Sequence, residues 1–173
     1  INGRQLRFGD VADARAAGVE LVHQSFALPP SFTVAEALEF SVDGKLGLFG
    51  RRQLRARWSQ HLKNLQLDVD PDRRIRDLPV ETQQGVEIAR ALVTDAKVLI
   101  LDEPTAVLSP PGIETLFERI QGLKKSGVTV ILILHKIREV LAVADTVSVL
   151  RGGRLVAGPL TRNDVDPAGI GEL

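Results

Sequence analysis

Cysteine, methionine and tyrosine are all missing from this chain of 173 residues. Without cysteine, a disulfide framework and thiolate metal sites are excluded. The longest apolar run, Val128 to Leu134, is far shorter than the ~20 residues that a membrane-spanning helix needs. Neither charge is in excess, because 22 basic residues balance 22 acidic ones, so no net positive field favours nucleic acid as a partner. The composition is that of a globular domain with a substantial core.

Short apolar runs alternate with helical periodicity along the chain. The runs at Val19 to His23, Val98 to Leu101 and Val128 to Leu134 predict buried strands, and residues 4–8 predict a further short one. Alternation of this kind predicts a mostly parallel α/β sheet flanked by helices. Helices are predicted at residues 10–17, 51–67, 81–95, 110–127 and 136–144, and the RGGR sequence at residues 151–154 predicts a hairpin.

Another helix is predicted to begin near Thr33, because Thr33 and Glu36 have the spacing of a capping box. In the helix that follows, Leu54, Trp58 and Leu62 recur at helical spacing and predict one buried stripe. Trp58 is therefore predicted to belong to the core and not to a ligand platform.

Two adjacent carboxylates, Asp102 and Glu103, end the apolar run in KVLILDEPTAVLSP. Ligands of open α/β sheets bind beyond the carboxyl ends of the strands, where these acids fall. Hard oxygen ligands in that place suit Mg²⁺ shared with substrate phosphates, and the second acid could orient a water molecule for attack. From the pair alone, a helix cap with a surface charge is an equal alternative.

A phosphate site normally needs the cradle G-x-x-x-x-G-K-[ST], whose backbone N–H groups and lysine hold the nucleotide. The only Gly-Lys dipeptide is Gly44-Lys45. Glu39 occupies the position of the first glycine there, and Leu46 the position of the hydroxyl residue. The motif is therefore absent from these residues.

Three segments in order, HQSFALPPSFTVAEAL, VLILDEPTAVLSP and ILHKIREVLAVADTVSVLRGGRL, resemble the ATPase subunits of ATP-binding cassette (ABC) transporters. Within that family the chain is most similar to the subfamily serving importers of simple sugars and nucleosides, whose ATPase polypeptides carry two cassettes in tandem. The resemblance implies a P-loop NTPase-like α/β core with a helical signature subdomain. Residues 1–173 would form a partial ABC ATPase domain, with 33–95 as the signature subdomain and 1–32 and 96–173 as parts of the core.

The resemblance also implies ATP and Mg²⁺ as cofactors and gives roles to four residues. Gln24 matches the Q-loop glutamine, which reaches Mg²⁺ and the attacking water. Asp102 matches the Walker B aspartate that holds Mg²⁺, and Glu103 the glutamate that polarises water. His135 matches the switch histidine, which contacts the γ-phosphate.

The segment LPVETQQGVEIARAL matches the signature segment, which grips the nucleotide bound by the opposite cassette, so Pro79, Val80 and Glu81 become candidate nucleotide-binding residues. Pro79 stands where serine is usual, and Glu81 where the second glycine is usual. Ser109 stands in the D-loop, where many cassettes have aspartate. Like charges ~4 Å apart cost on the order of 4 kcal/mol at an effective dielectric near 20, so Glu81 is expected to weaken this grip unless it turns away.

In the family, the phosphate-binding loop precedes the Q-loop. The missing motif and the missing methionine therefore lead us to expect the carboxyl-side part of a cassette, inactive by itself. The family's phosphate-loop strand lies between the strand ending at His135 and the strand at Thr146 to Leu150. We therefore expect another chain to fill this slot, or strand exchange or oligomerisation to close it.

The resulting prediction is an ATP-hydrolysing subunit of a sugar or nucleoside importer, on the cytoplasmic face of the cell membrane. Its expected partners are transmembrane permease subunits, a second cassette and, indirectly, an extracytoplasmic substrate-binding protein. Two alternatives stay open. One is a soluble cassette ATPase acting on ribosomes or DNA, and the other is a regulatory cassette whose own composite site is degenerate.

Overall fold

The computed structural model describes all residues except 2, 4, 8, 26, 44–49 and 166–173, and it forms two compact units, Ile1–Ile133 and Leu134–Leu173. The predicted alternation of helices and strands is confirmed. In the first unit the elements are α1 Val11–Ala16, β1 Val19–Val22, α2 Val34–Asp43, α3 Arg51–Asn64, α4 Val80–Ala91, β2 Val98–Asp102, α5 Pro110–Lys125 and β3 Thr129–Ile133. The second unit contains α6 Ile137–Val143, β4 Thr146–Arg151 and β5 Arg154–Thr161. Two 3₁₀ turns lie at Ile75–Asp77 and Arg162–Asp164.

The sheet of the first unit is parallel, in the order β1-β2-β3. Val22 is in register with Leu101, and Leu101 with Leu132, so the carboxyl ends of the first two strands lie side by side. The short strand predicted at residues 4–8 is wrong for residues 5–7, which have no strand pairing; Arg4 and Phe8 lie outside the described residues. The parallel sheet thus brings together the loops that follow β1 and β2.

The two faces of this sheet differ in their exposure to solvent. Val22, Leu99 and Leu101 on one face are almost completely buried. On the other face Ile131 and Ile133 are 47% and 48% exposed, although parallel sheets are normally covered on both sides. Among the described residues, β3 has a strand partner only along its edge with β2. Filling of the other edge by another chain stays a prediction.

Helices α2, α3 and α4 share one apolar core, whose centre includes Leu38, Leu62 and Val86. Trp58 belongs to this core with 5% of its surface exposed, which confirms the prediction. Its indole Nε1 donates to the carboxylate of Glu39 at 2.9 Å, so the buried acid is matched by a donor. The three helices thus pack around one shared core.

Capping residues fix the beginnings of two helices as the sequence predicts. Before α2, the Thr33 N–H donates to Glu36 at 2.7 Å and the Glu36 N–H donates to the Thr33 hydroxyl at 3.2 Å, which is the reciprocal pattern of a capping box. Helix α5 begins with two prolines after its N-cap, Ser109. Proline suits a first helical turn because those N–H groups have no partner within the helix.

The second unit contains the predicted hairpin. Strands β4 and β5 pair in antiparallel fashion and are joined by Gly152 and Gly153, whose φ angles of 57° and 74° suit a tight turn. None of the helices in the described part of the chain has both the length and the apolar character needed to cross a membrane.

Candidate functional site

The first polar group of interest lies where β1 and β2 end, and we call Gln24, Asp102 and Glu103 the strand-end site. Gln24 follows β1 by two residues, Asp102 is the last residue of β2, and Glu103 comes next. The side-chain Nε2 of Gln24 donates to Oε2 of Glu103 at 2.9 Å across 79 positions of sequence. The structure therefore brings together the glutamine and the glutamate to which the family resemblance gives roles.

The backbone at Glu103 has an unusual conformation. Its φ is +45°, in the left-handed region that residues other than glycine rarely adopt. The Glu103 N–H donates to the carbonyl oxygen of Ile133 at 3.0 Å, which ties the turn to the end of β3. Strain of this kind costs about 1–3 kcal/mol and concentrates at functional sites. The left-handed backbone thus adds support for the functional role that the sequence predicts for Glu103.

The strand-end site has the chemistry to hold Mg²⁺. Since the Gln24 amide nitrogen binds Glu103, the amide oxygen lies at the opposite end of the same group. This oxygen and the half-buried Asp102 carboxylate are the hard ligands that Mg²⁺ prefers. Among the described residues no cluster of three or more His, Cys, Asp or Glu side chains forms a metal site. Two protein oxygens still suffice when phosphates and water complete the octahedron.

The loop that carries Gln24 is anchored to α4 by a buried carboxylate. Glu87, with 2% of its surface exposed, accepts from the backbone N–H groups of Ala27 at 2.6 Å and Leu28 at 3.0 Å. Its other oxygen pairs with Arg90 at 3.0 Å. Sequence analysis missed this residue because a glutamate within a helix resembles a solvated charge.

The second polar group lies at the N-terminal ends of α4 and α5, and we call Glu81 and Ser109 the helix-terminus pair. The Ser109 hydroxyl donates to Oε1 of Glu81 at 3.0 Å and accepts from the Gly112 N–H at 3.3 Å. Pro79 is the N-cap of α4 and provides no side-chain cap, while Val80 is exposed. Glu81 therefore turns toward the start of α5, which the sequence left open.

The charged form of Glu81 is favoured by the groups around it. Its own backbone N–H is the largest influence and the Ser109 hydroxyl the next, and together they hold the pKa of this carboxyl below its usual value. The position in the first turn of α4 also suits a negative charge. The Glu81 carboxylate therefore places a negative charge at the N-terminal ends of α4 and α5.

His135 belongs to the second unit. It is exposed and lies two residues before α6. The remaining candidates, from Gln24 to Ser109, all belong to the first unit. The structure thus sorts the seven candidates of the first unit into the strand-end site and the start of α4 and α5.

The fold and the strand-end site together define a class of protein. It consists of α/β proteins that bind a ligand through polar side chains at the carboxyl ends of parallel strands. Comparison with known proteins gives the family. The family model "ABC transporter" matches residues 1–106, and the chain belongs to this family. This membership is the one that the resemblance implied.

Curated relatives are ATP-binding proteins of sugar importers. The ribose import ATP-binding protein RbsA 3 of Rubrobacter xylanophilus is 43% identical over 91% of this chain and 32% of its own length. The arabinose import ATP-binding protein AraG of Rhizobium meliloti is 40% identical over 91% and 31%. The xylose import ATP-binding protein XylG of Geobacillus kaustophilus is 37% identical over 91% and 31%. The chain thus spans about a third of the length of these relatives.

Solved structures confirm the predicted fold class. The ATP-binding cassette MJ1267 superimposes with a TM-score of 0.77 at 24% identity, over 88% of this chain and 65% of its own. CbiO1 of Clostridium perfringens, part of the transporter complex cbiONQ, gives 0.74 at 27% identity over 90% and 62%. The bacterial cassette MJ0796, described as a dimer, gives 0.64 at 26% identity over 79% and 60%. The fold is that of an ATP-binding cassette.

Proposed function

We propose that this chain contributes the water-activating part of an ATP-hydrolysing subunit in an importer of simple sugars or nucleosides. The observation that carries the proposal is the 2.9 Å bond between Gln24 and Glu103 at the ends of two parallel strands. The sugar importers named by the relatives support the substrate class. Residues 33–95 would form its helical signature subdomain, which the shared core of α2, α3 and α4 supports.

Each residue of the strand-end site has a proposed role. Asp102 and Gln24 would hold Mg²⁺ through their side-chain oxygens, and a bound Mg²⁺ would neutralise charge on the phosphates. Glu103, held by Gln24 and by the Ile133 carbonyl, orients the attacking water and accepts its proton. His135 contacts the γ-phosphate in this proposal. In this proposal the phosphate cradle comes from residues other than these 173, whose sequence lacks its motif.

The proposal is tested by the Mg²⁺ dependence of ATP hydrolysis, measured with the polypeptide that carries these residues assembled with its permease. Asp102→Asn should raise the Mg²⁺ concentration needed for half-maximal rate. Asp95→Asn is the matched control, because Asp95 is exposed and its φ of 55° suits asparagine. Equal Mg²⁺ dependence in both variants would remove Asp102 from the proposed metal site.

A second measurement addresses this chain alone. Calorimetric titration of Mg-ATP, after circular dichroism has shown a folded chain, should give no detectable binding because the cradle motif is missing. Micromolar affinity would mean that these residues hold the phosphates in another way, and the proposed division of labour would be wrong.

Partner binding is proposed for helix α2. Phe40 and Val42 are large apolar residues of this helix that are 44% and 38% exposed, and exposed apolar surface favours a protein partner. We propose that residues 34–67 contact a permease at the inner face of the cell membrane. A photo-cross-linker at Phe40 should capture the permease. Capture of ribosomal protein or DNA instead would favour the soluble ATPase.

A further inference from the structure

A cleft of about 290 Å³ lies between the N-terminal ends of α4 and α5. These helices have 12 and 16 residues, and their first N–H groups carry partial positive charge. Arg119 lines the same cleft. None of the hydrogen bonds and ion pairs of the described residues involves its guanidinium, whose Nε is buried, and burial lowers the pKa of Arg119. The cleft is therefore electropositive on several sides.

One anion already occupies this environment, and it belongs to the chain itself. The Glu81 carboxylate lines the cleft and is bound by the Ser109 hydroxyl at 3.0 Å. The space for its stem exists because residue 112 is glycine: a Cβ there would approach Cγ of Glu81 to 2.7 Å. Ser109 thus binds the Glu81 carboxylate, and Gly112 leaves room for the Glu81 side chain.

The two departures from the family pattern explain each other in this geometry. An aspartate at position 109, as in many cassettes, would place a second carboxylate against Glu81. Serine at this position donates a hydrogen bond to Glu81 instead and still caps α5 through the Gly112 N–H. The acid at 81 and the hydroxyl at 109 therefore form a compatible pair.

We propose that Glu81 is an internal anion on the wall of the cleft between α4 and α5, and that its charge closes the signature segment of this chain to a nucleotide phosphate. Because phosphate and carboxylate are both attracted to the same helix N-termini, the carboxylate bound there excludes the phosphate by charge repulsion. The identity of the excluded anion rests on the proposed function. On this reading the cassette contributes its water-activating residues to one composite site and closes its contribution to the other.

The test uses inorganic phosphate as the probe and the backbone amide signals of residues 80–83 as the readout, followed by NMR on the chain. Phosphate should leave these signals unchanged in the wild type. In Glu81→Ala it should shift them in a saturable way, because a like charge at close range has been removed. Glu81→Ala with Arg119→Gln should lose most of this binding. Glu114→Ala, which removes an exposed carboxylate from α5, should behave like the wild type.

Two outcomes would overturn the proposal. Equal phosphate shifts in the wild type and in Glu81→Ala would show that the carboxylate does not close the cleft, and no shifts in either would show that the cleft takes no phosphate at all. If Glu81→Ala does not fold, the pKa of Glu81 followed by NMR serves instead. Ser109→Ala should raise it part of the way toward its usual value, whereas an unchanged pKa would contradict the contact.

The probe keeps this proposal separate from the function above. Inorganic phosphate requires neither ATP nor a permease, so a negative titration leaves the hydrolytic role of Glu103 intact. Conversely, an assembled protein without ATPase activity would remove the proposed function while a positive phosphate titration would still establish the anion cleft.

Discussion

The strand-end site and the helix-terminus pair each present a glutamate, but the two carboxylates are held in opposite ways. Glu103 sits on a left-handed backbone after β2, and its carboxylate is oriented by the amide of Gln24. Glu81 sits in the relaxed first turn of α4, where its own N–H and the Ser109 hydroxyl favour its charged form. The strained backbone at Glu103 lowers the stability of the fold, whereas the hydrogen bonds to the Glu81 carboxylate raise it.

Glu103 is therefore an acid that remains available to a ligand, whereas the Glu81 carboxylate is already bound by groups of the chain itself. A residue that must act on water has to stay accessible, so the surrounding structure supports the strain and leaves part of the carboxylate exposed. A residue satisfied by local donors has no such requirement. The two regions therefore predict different responses to the same chemical change.

The largest expected effect is on catalysis at the strand-end site. Glu103→Gln keeps the size of the side chain but removes the group that accepts the proton of water. ATP hydrolysis by the assembled protein should fall about 10²–10⁴-fold, the usual contribution of a general base. Glu114→Gln, at an exposed position of α5, is the control and should keep the wild-type rate. Retained activity in Glu103→Gln would instead favour the regulatory cassette. Glu103 would then have no catalytic role to distinguish it from Glu81.

The next largest effect concerns the link between the two regions. Glu87→Ala removes the buried carboxylate that binds the Ala27 and Leu28 N–H groups and Arg90. Loss of a buried, hydrogen-bonded charge pair should lower the free energy of unfolding by about 3–5 kcal/mol, measured by urea denaturation. The side-chain amide signal of Gln24 should also shift, because its loop loses its anchor on α4.

The control for this change is Glu118→Ala, which removes an exposed carboxylate from α5 and should stay within about 0.5 kcal/mol of the wild type. A shift of Gln24 in the control, or none in Glu87→Ala, would mean that α4 does not position the Q-loop.

A smaller effect tests the packing of α4 against its neighbours. A Cβ at Gly85 would lie 2.7 Å from Leu67 and 2.9 Å from Arg119, whereas one at Gly122 would meet no atom within 4 Å. Gly85→Ala should therefore lower the free energy of unfolding by about 1–3 kcal/mol through overpacking. Gly122→Ala should raise it by about 0.5–1 kcal/mol, since alanine is the better helix former. Thermal unfolding of both variants gives the comparison, and changes of equal sign would contradict the geometry.

Sequence patterns predicted the helices and strands well because periodicity reports which side chains are buried. The Thr33–Glu36 capping box is confirmed because it depends on a local spacing, and the buried Trp58 is confirmed because it lies on the apolar stripe that the periodicity of its helix defines. The short strand at residues 4–8 failed for residues 5–7, because alternation alone does not provide a partner strand.

The contacts that matter most in the candidate site depend on distant neighbours and could not be predicted from local patterns. Gln24 and Glu103 are 79 positions apart, and Glu87 reaches Ala27 across 60. The direction in which Glu81 turns depends on Ser109 and on the missing Cβ of Gly112, which only the packing of α5 reveals. Motif resemblance supplied the residues, and tertiary structure supplied their pairing.

The smallest expected effect is the pH dependence of stability due to Glu81. Its pKa is below the usual value in the folded chain, so its stabilising contribution is complete above the ordinary glutamate pKa of ~4.3 and is lost as the pH falls through the folded pKa. The stability difference between wild type and Glu81→Gln, measured by urea denaturation, should therefore shrink as the pH is lowered below that value. Asp72, whose pKa is lowered chiefly by Arg51, titrates in both proteins and cancels in the difference. A difference that stays constant down to low pH would show that the Glu81 carboxylate is not engaged, and the contrast with Glu103 would then rest on backbone strain alone.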